Sequence, residues 1–374
     1  MQAKRTLAEK LQLGIDPLKG MLILIIVLDH SDEAHAFLPG TFRPLTFHVL
    51  GFLLLPFLVR GTSLSVGFLR DRLTRYWVPY AFTITLAAIL FSLLHRRSDG
   101  AARIAFDYVA ALLVGSAPLV KQSSGFVAYW FLPTLFGLVV VLGLYRRLST
   151  LWRGVLVALF LVCHAFLNET SFPQYRWVPF GLPIVANIFV LGLLLRAIIE
   201  SSVAFALRWM FPIIFVSSYA WLVAHQAWLE IATLRLTPVI DPMKFVAQDL
   251  AGVTGVVTIA LVAVYLPKSR VTTSLGQHSL MIYLLHPLVY AGLNVVAGAV
   301  GFEPASRYLI ITYGLLKYGL AVSVSWMTAV LLARSRVFSN WVTPRRWDAW
   351  APVAYLSRWG TGDPSNAANQ RTSR

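Results

Sequence analysis

Apolar residues run along this chain in long blocks separated by short polar breaks. The first block, "IDPLKGMLILIIVLDHS" at residues 15–31, has nine uncharged residues between Lys19 and Asp29. A helix needs about 20 mostly apolar residues to cross the hydrocarbon of a bilayer. Blocks of that order predict ten spans, near 18–37, 45–62, 77–95, 125–145, 152–168, 178–199, 206–226, 249–267, 279–300 and 308–333. No internal repeat and no separate soluble block interrupts them. The pattern therefore predicts an all-α, polytopic membrane protein whose transmembrane domain covers residues 1–340. The remainder, 341–374, opens with "WVTPRRWDAWAPVAYLSRW", a mixture of Trp and Arg suited to the membrane interface, and ends in "GTGDPSNAANQRTSR", which has the composition of a disordered tail. Residues 96–124 fit least well: four basic residues accompany the apolar run "YVAALLVGSAPLV", which predicts a re-entrant or interfacial segment, or a span count wrong by one.

Composition agrees with the pattern. Charged residues make up 13% of the 374 and mean hydropathy is +0.69, against about 25% charged in soluble chains. The net charge of +16 would suggest nucleic acid for a soluble protein. In a membrane protein, however, Lys and Arg gather in cytoplasmic loops. With the N-terminus inside, the inner segments hold more than twice the Lys and Arg of the outer ones. This places both termini in the cytoplasm, with membrane lipids and no nucleic acid as surroundings. The single Cys163 excludes an internal disulfide and a cysteine-based metal site, and no metal is expected. The first apolar run lacks a cleavage signal and reads as an anchor.

Within these spans, a few ionisable residues need a reason, since a charge at bilayer depth costs at least about 2.5–3.5 kcal/mol on insertion scales. Lys19 and His30 differ by eleven positions, which places them within about 20° of each other on a helix and about 16 Å apart along it. Lys19 sits at the rim and His30 deep in the membrane. Asp16, followed by Pro17, has the form of an N-cap with proline at the first helical position. Asp29 lies 100° around from His30 and is expected to meet a different group. A second cluster, "SLGQHSLMIYLLHPLVY", sets Ser279, Tyr283 and His286 at spacings of four and three, on one helix face. A third, "FLRDRLTRYWVPY", carries Arg70, Arg72 and Arg75, which suit positive-inside topology and equally phosphate recognition. A fourth, "AYWFLPTL", contains Trp130 and reads as part of an aromatic belt.

Together these segments resemble the membrane acyltransferase-3 family, which includes O-acetyltransferases of bacterial surface polysaccharides. "DPLKGMLILIIVLDH" resembles the family's first span, with an acidic residue, a basic residue, ten intervening positions and a histidine; its D-x-L-K-G form is similar to the fucose O-acetylase-like branch. "RDRLTRYWVPY", "YWFLPTL" and "SLMIYLLHP" resemble the family's Arg-rich third span, Trp-Phe-Leu helix start and late Ser, Tyr and His-Pro helix, in the same order. Asp29, where glycine or an apolar residue is commoner, is a departure.

The resemblance implies an acyltransferase, with transfer of an acetyl group from cytoplasmic acetyl-CoA, or another acyl-CoA, to a hydroxyl of a surface glycan or lipid-linked saccharide. It implies His30, Lys19 and Asp16 as catalytic residues, with His30 as general base or acyl carrier. Arg70, Arg72, Arg75 and Lys19 would hold the CoA phosphates, and Lys19 is a further candidate for the oxyanion. Asp29, Trp130, Ser279, Tyr283 and His286 would line the substrate cavity. A bacterial inner membrane and glycan-assembly partners follow from the same resemblance. The rival is a multi-span transporter, using the buried His and Asp as a proton or substrate relay.

Overall fold

The structure is a computed structural model. It describes residues 15–31, 33, 47–58, 64–95, 101–166, 177–201, 206–225, 242–265, 267, 269–302, 304, 306–343, 350 and 352–353. Among them there is no strand. Fourteen α-helices follow one another: α1 (Ile15–Asp29), α2 (Phe47–Leu58), α3 (Val66–His95), α4 (Ala101–Val114), α5 (Ala117–Ser124), α6 (Phe131–Arg147), α7 (Thr150–Phe166), α8 (Leu182–Glu200), α9 (Met210–Ala224), α10 (Pro242–Tyr265), α11 (Arg270–Gln277), α12 (Ser279–Ala299), α13 (Arg307–Arg334) and α14 (Arg336–Trp341).

Among the described residues, five stretches are long and apolar enough to cross a bilayer: Ala128–Arg147, Pro179–Glu200, Val246–Tyr265, Ser279–Ala299 and Arg307–Arg334. They coincide with five of the ten expected spans. Three more of the ten coincide with shorter apolar helices, within α2, α7 and α9. The span expected at 77–95 is the second half of the 30-residue α3, whose first half carries the arginines. The first span is the 15-residue α1; most of the remainder of 18–37 lies outside the described residues, as does most of the tail from 344 onward.

Of the difficult stretch 96–124, the described residues 101–124 form a short helical hairpin. α4 and α5 meet at Gly115, whose φ of 65° is cheap for glycine alone. Asp107 on α4 is buried and accepts a hydrogen bond from Gln122 on α5 at 2.8 Å. Of the four basic residues that set the stretch apart, the two that are described, Arg103 and Lys121, are exposed.

α1 is the axis of the molecule. It packs against α2, α10, α11, α12 and α13, and Leu18, Leu22, Ile23, Ile26 and Val27 have no exposed surface. Its tightest neighbour is α11. A Cβ at Gly20 would strike the Thr272 carbonyl, and one at Gly276 would strike the backbone of Asp16. The two glycines let the helix backbones touch, the usual device where lipid offers no hydrophobic drive for association. The outer helices reverse the pattern of a soluble core. Leu151, Trp152 and Leu159 on α7, and Tyr308, Leu316 and Leu331 on α13, point outward and are exposed. Apolar surface on this scale belongs in lipid. The molecule is an integral membrane protein.

Candidate active site

Two polar regions lie at opposite ends of α1. At its N-terminal end, a cavity of about 440 Å³ opens between α1, α2, α3, α6 and α12. Its cations are Lys19, Arg72, Arg75 and Arg146. Ser279, Tyr283, Gln277 and Tyr76 share a wall that is mostly apolar, with Phe52, Phe131 and Leu135 among its members. Lys19 forms an ion pair with Asp16 at 2.6 Å, and the Arg72 guanidinium lies 4.9 Å from the centre of the Phe68 ring. A cationic rim on an apolar hollow suits a ligand that is polyanionic at one end and apolar or amide-like along its length.

At the C-terminal end, His30 meets His286. α1 and α12 run alongside each other in the same sense, so that Lys19 faces the start of α12 and His30 faces its middle. His286, with no exposed surface, has its Nδ1 3.1 Å from the Ile282 carbonyl and its Nε2 3.1 Å from His30 Nδ1. His30 Nδ1 is in turn 2.9 Å from the Ile26 carbonyl. Carbonyls only accept, so Nδ1 of His286 carries its proton and, in the neutral ring, Nε2 accepts. His30 Nδ1 then donates, and Nε2 is left as its basic nitrogen. The His30 side of the pair is exposed, whereas the His286 side is sealed.

The pair is held from three directions. Tyr290 donates to the Val27 carbonyl at 2.8 Å, bridging α12 to α1. Tyr129 donates to the Leu284 carbonyl at 3.2 Å, while Tyr283 donates to the Ala128 carbonyl. The 3₁₀ turn Val127–Trp130 and α12 therefore clasp each other reciprocally. Past His30, Ser31 reaches the Gly314 carbonyl at 3.4 Å, and Glu33 pairs with Lys317 at 2.5 Å. Gly314 and Lys317 are one turn apart on α13, which so fixes the end of α1. Lys317 is 5% exposed, and its ammonium lies 5.6 Å from the centres of the Tyr290 and Tyr313 rings.

Most of the residues singled out from the sequence converge here, though in two groups. Lys19, Arg72, Arg75, Ser279 and Tyr283 line the cavity; His30 and His286 form the pair; Tyr283, whose ring is 5.8 Å from that of His286, is the wall between them. Arg70 is exposed on α3 and is not on the cavity wall. Asp16 sits in the first turn of α1 rather than before it, where its charge also suits the helix dipole. Asp29 is buried within electrostatic reach of Tyr219 on α9, away from the cavity. Trp130 departs from the belt expectation. It is 5% exposed and packs edge-on against Phe131, because its segment braces α12 rather than facing lipid. Arg146, Glu33 and Lys317 were missed: Arg146 looks like an ordinary positive-inside charge, and the other two are 284 residues apart. A lysine within the last apolar block was the available signal.

A family model described as an acyltransferase domain, that of the acyltransferase-3 family, matches residues 12–330. No curated protein and no solved structure matches the chain. The matched stretch contains every residue of the cavity and of the histidine pair. The chain belongs to the acyltransferase-3 family and is an acyltransferase that moves groups other than amino-acyl groups.

Proposed function

On the premise of that membership, we propose that the protein transfers an acyl group, acetyl in the simplest case, from cytoplasmic acyl-CoA to a hydroxyl of a surface glycan or lipid-linked saccharide. The observation that carries the reading is the arrangement along α1: four cations about a cavity at one end and a histidine with a basic Nε2 at the other. Eleven residues of helix separate Lys19 from His30, about 16 Å of rise. An extended pantetheine arm spans a distance of that order between the phosphates of CoA and its thioester.

In this scheme Lys19, Arg72 and Arg75 hold phosphate, each by charge-assisted hydrogen bonds. His30 Nε2 takes the proton of the acceptor hydroxyl as its oxygen attacks the thioester carbonyl. The tetrahedral intermediate collapses with cleavage of the carbon–sulfur bond, and the imidazolium returns the proton to the departing thiolate, giving ester and free CoA. Lys19 is too far along the helix to serve an oxyanion at His30, so its part is donor binding. His286 holds the tautomer and tilt of His30 and takes no part in bond making. The topology that goes with this reading has ten spans, both termini in the cytoplasm and the cavity on the cytoplasmic side, in a bacterial inner membrane with glycan-assembly proteins as neighbours. The parallel course of α1 and α12, the first and ninth of those spans, supports that parity.

The test uses the purified protein in lipid nanodiscs with labelled acetyl-CoA and glycan from the source cell. The reading expects release of free CoA thiol and an acetyl ester on the glycan by mass spectrometry. Flux of an anion or of protons across proteoliposomes, without thiol release, would replace it with a transporter.

A further inference from the structure

We infer that Arg146 is an anion ligand of the cavity and takes a phosphate group of the bound substrate. Arg146 and Arg147 close the cytoplasmic-type end of α6 as a pair, yet they behave differently. Arg147 is exposed, as an arginine placed for topology should be. Arg146 turns inward to line the cavity, and its Nη2 is sealed from solvent with no hydrogen-bond partner among the described residues. A long cationic side chain at a membrane rim normally snorkels to water. A guanidinium with a buried, unsatisfied N–H instead carries a desolvation cost that an anion would remove.

The neighbouring groups are engaged elsewhere. The usual work of an arginine at a helix C-terminus, satisfying the last carbonyls, is done by Arg153, which donates to Tyr145 O at 3.0 Å and to Arg146 O at 2.8 Å. The carboxylate on the neighbouring helix α8, Glu200, is engaged by Arg196 at 3.0 Å. Asp16, at the near end of α1, is engaged by Lys19. Arg72 and Arg75 add like charge on the same wall. Four cations on one cavity wall suit a polyanion. Diphosphate chemistry fits, and it has two sources here: the CoA donor and a diphosphate-linked lipid acceptor. The apolar floor suits either, so the inference rests on the reading of the cavity as a substrate site but not on which substrate fills it.

The experiment is calorimetric binding to the detergent-purified full chain, with CoA and geranyl diphosphate as separate probes, for wild type, Arg146→Gln, Arg146→Lys and Arg147→Gln. Losing one charge-assisted contact should weaken the bound probe by about tenfold or more. Arg146→Lys should recover part of that affinity, Arg147→Gln should match wild type, and melting temperatures should agree. Wild-type affinity in Arg146→Gln would overturn the inference, as would equal weakening by both glutamines, which would signify a diffuse field. If wild type binds geranyl diphosphate through Arg146 and ignores CoA, the inference stands and the acyl-CoA donor reading falls. If it binds CoA with indifference to Arg146, the reverse holds.

Discussion

The two ends of α1 handle charge in opposite ways. The N-terminal end gathers four cations around a hollow, carried on long side chains, with Lys19 paired to Asp16. The C-terminal end packs a histidine pair, three tyrosines and an ion pair with nearly every group engaged: His286 has an acceptor on one nitrogen and a donor on the other, and Lys317 is closed against Glu33. Open cations hold a ligand that brings its own charge. A closed network instead holds one ring in one tautomer. Binding and chemistry are thus separated along one helix, and substitutions at the two ends should fail in different ways.

The largest effect belongs to His30. His30→Asn should insert and melt like wild type and bind CoA unchanged, while turnover drops by about 10²–10⁴-fold, the range for a lost general base. Acylation assays beside a binding isotherm check this, and a loss under tenfold would remove His30 from the chemistry. The same assignment fixes a sign for pH. Only the neutral ring accepts a proton, so turnover should fall as acid protonates Nε2. Donor affinity, which depends on Arg and Lys, should not follow that curve.

Lys317→Met comes next and concerns stability. It strands the Glu33 carboxylate, and breaking a buried pair costs about 3–5 kcal/mol; the lower end applies, because the Glu33 side chain is 25% exposed. Thermal unfolding in detergent measures it. Exchanging the charges, with Glu33→Lys and Lys317→Glu together, should recover much of the loss. His286→Phe keeps the packing and removes one of the two acceptors near the His30 proton, leaving the Ile26 carbonyl. If His286 only positions, turnover should fall by about 10²-fold, as for a small misplacement of a catalytic group, with donor KM unchanged. A donor KM that rises instead would merge the two ends into one site. The smallest effect lies at the cationic end, where Arg72→Gln should raise donor KM by about tenfold and leave kcat nearly as it was. Arg70→Gln, away from the cavity wall, should leave both constants unaltered.

How much of this was legible depends on the range of the information. Five long spans and three shorter apolar helices follow from hydropathy alone, because the bilayer fixes the length of an apolar helix. The shared face of Lys19 and His30 follows from the 3.6-residue turn, as does the stripe Ser279, Tyr283 and His286. Trp130 was misjudged because an aromatic beside an apolar block looks the same whether it faces lipid or braces a neighbour. The hairpin of α4 and α5 was blurred because basic residues such as Arg103 and Lys121 break the local apolar pattern, which does not show that two short helices turn back on each other at Gly115.

What the sequence determined by itself was the set of helices and the face each polar residue occupies, since both depend only on local geometry and on partition into lipid. The tertiary structure decided which helices lie together. In a membrane every lipid-facing surface is apolar, so hydropathy does not rank one partner above another. The choice is made by close contacts such as Gly20 and Gly276 against α11 and α1 and by hydrogen bonds across great sequence distance. That choice set His286 on His30, Lys317 on Glu33 and Arg146 in the cavity wall.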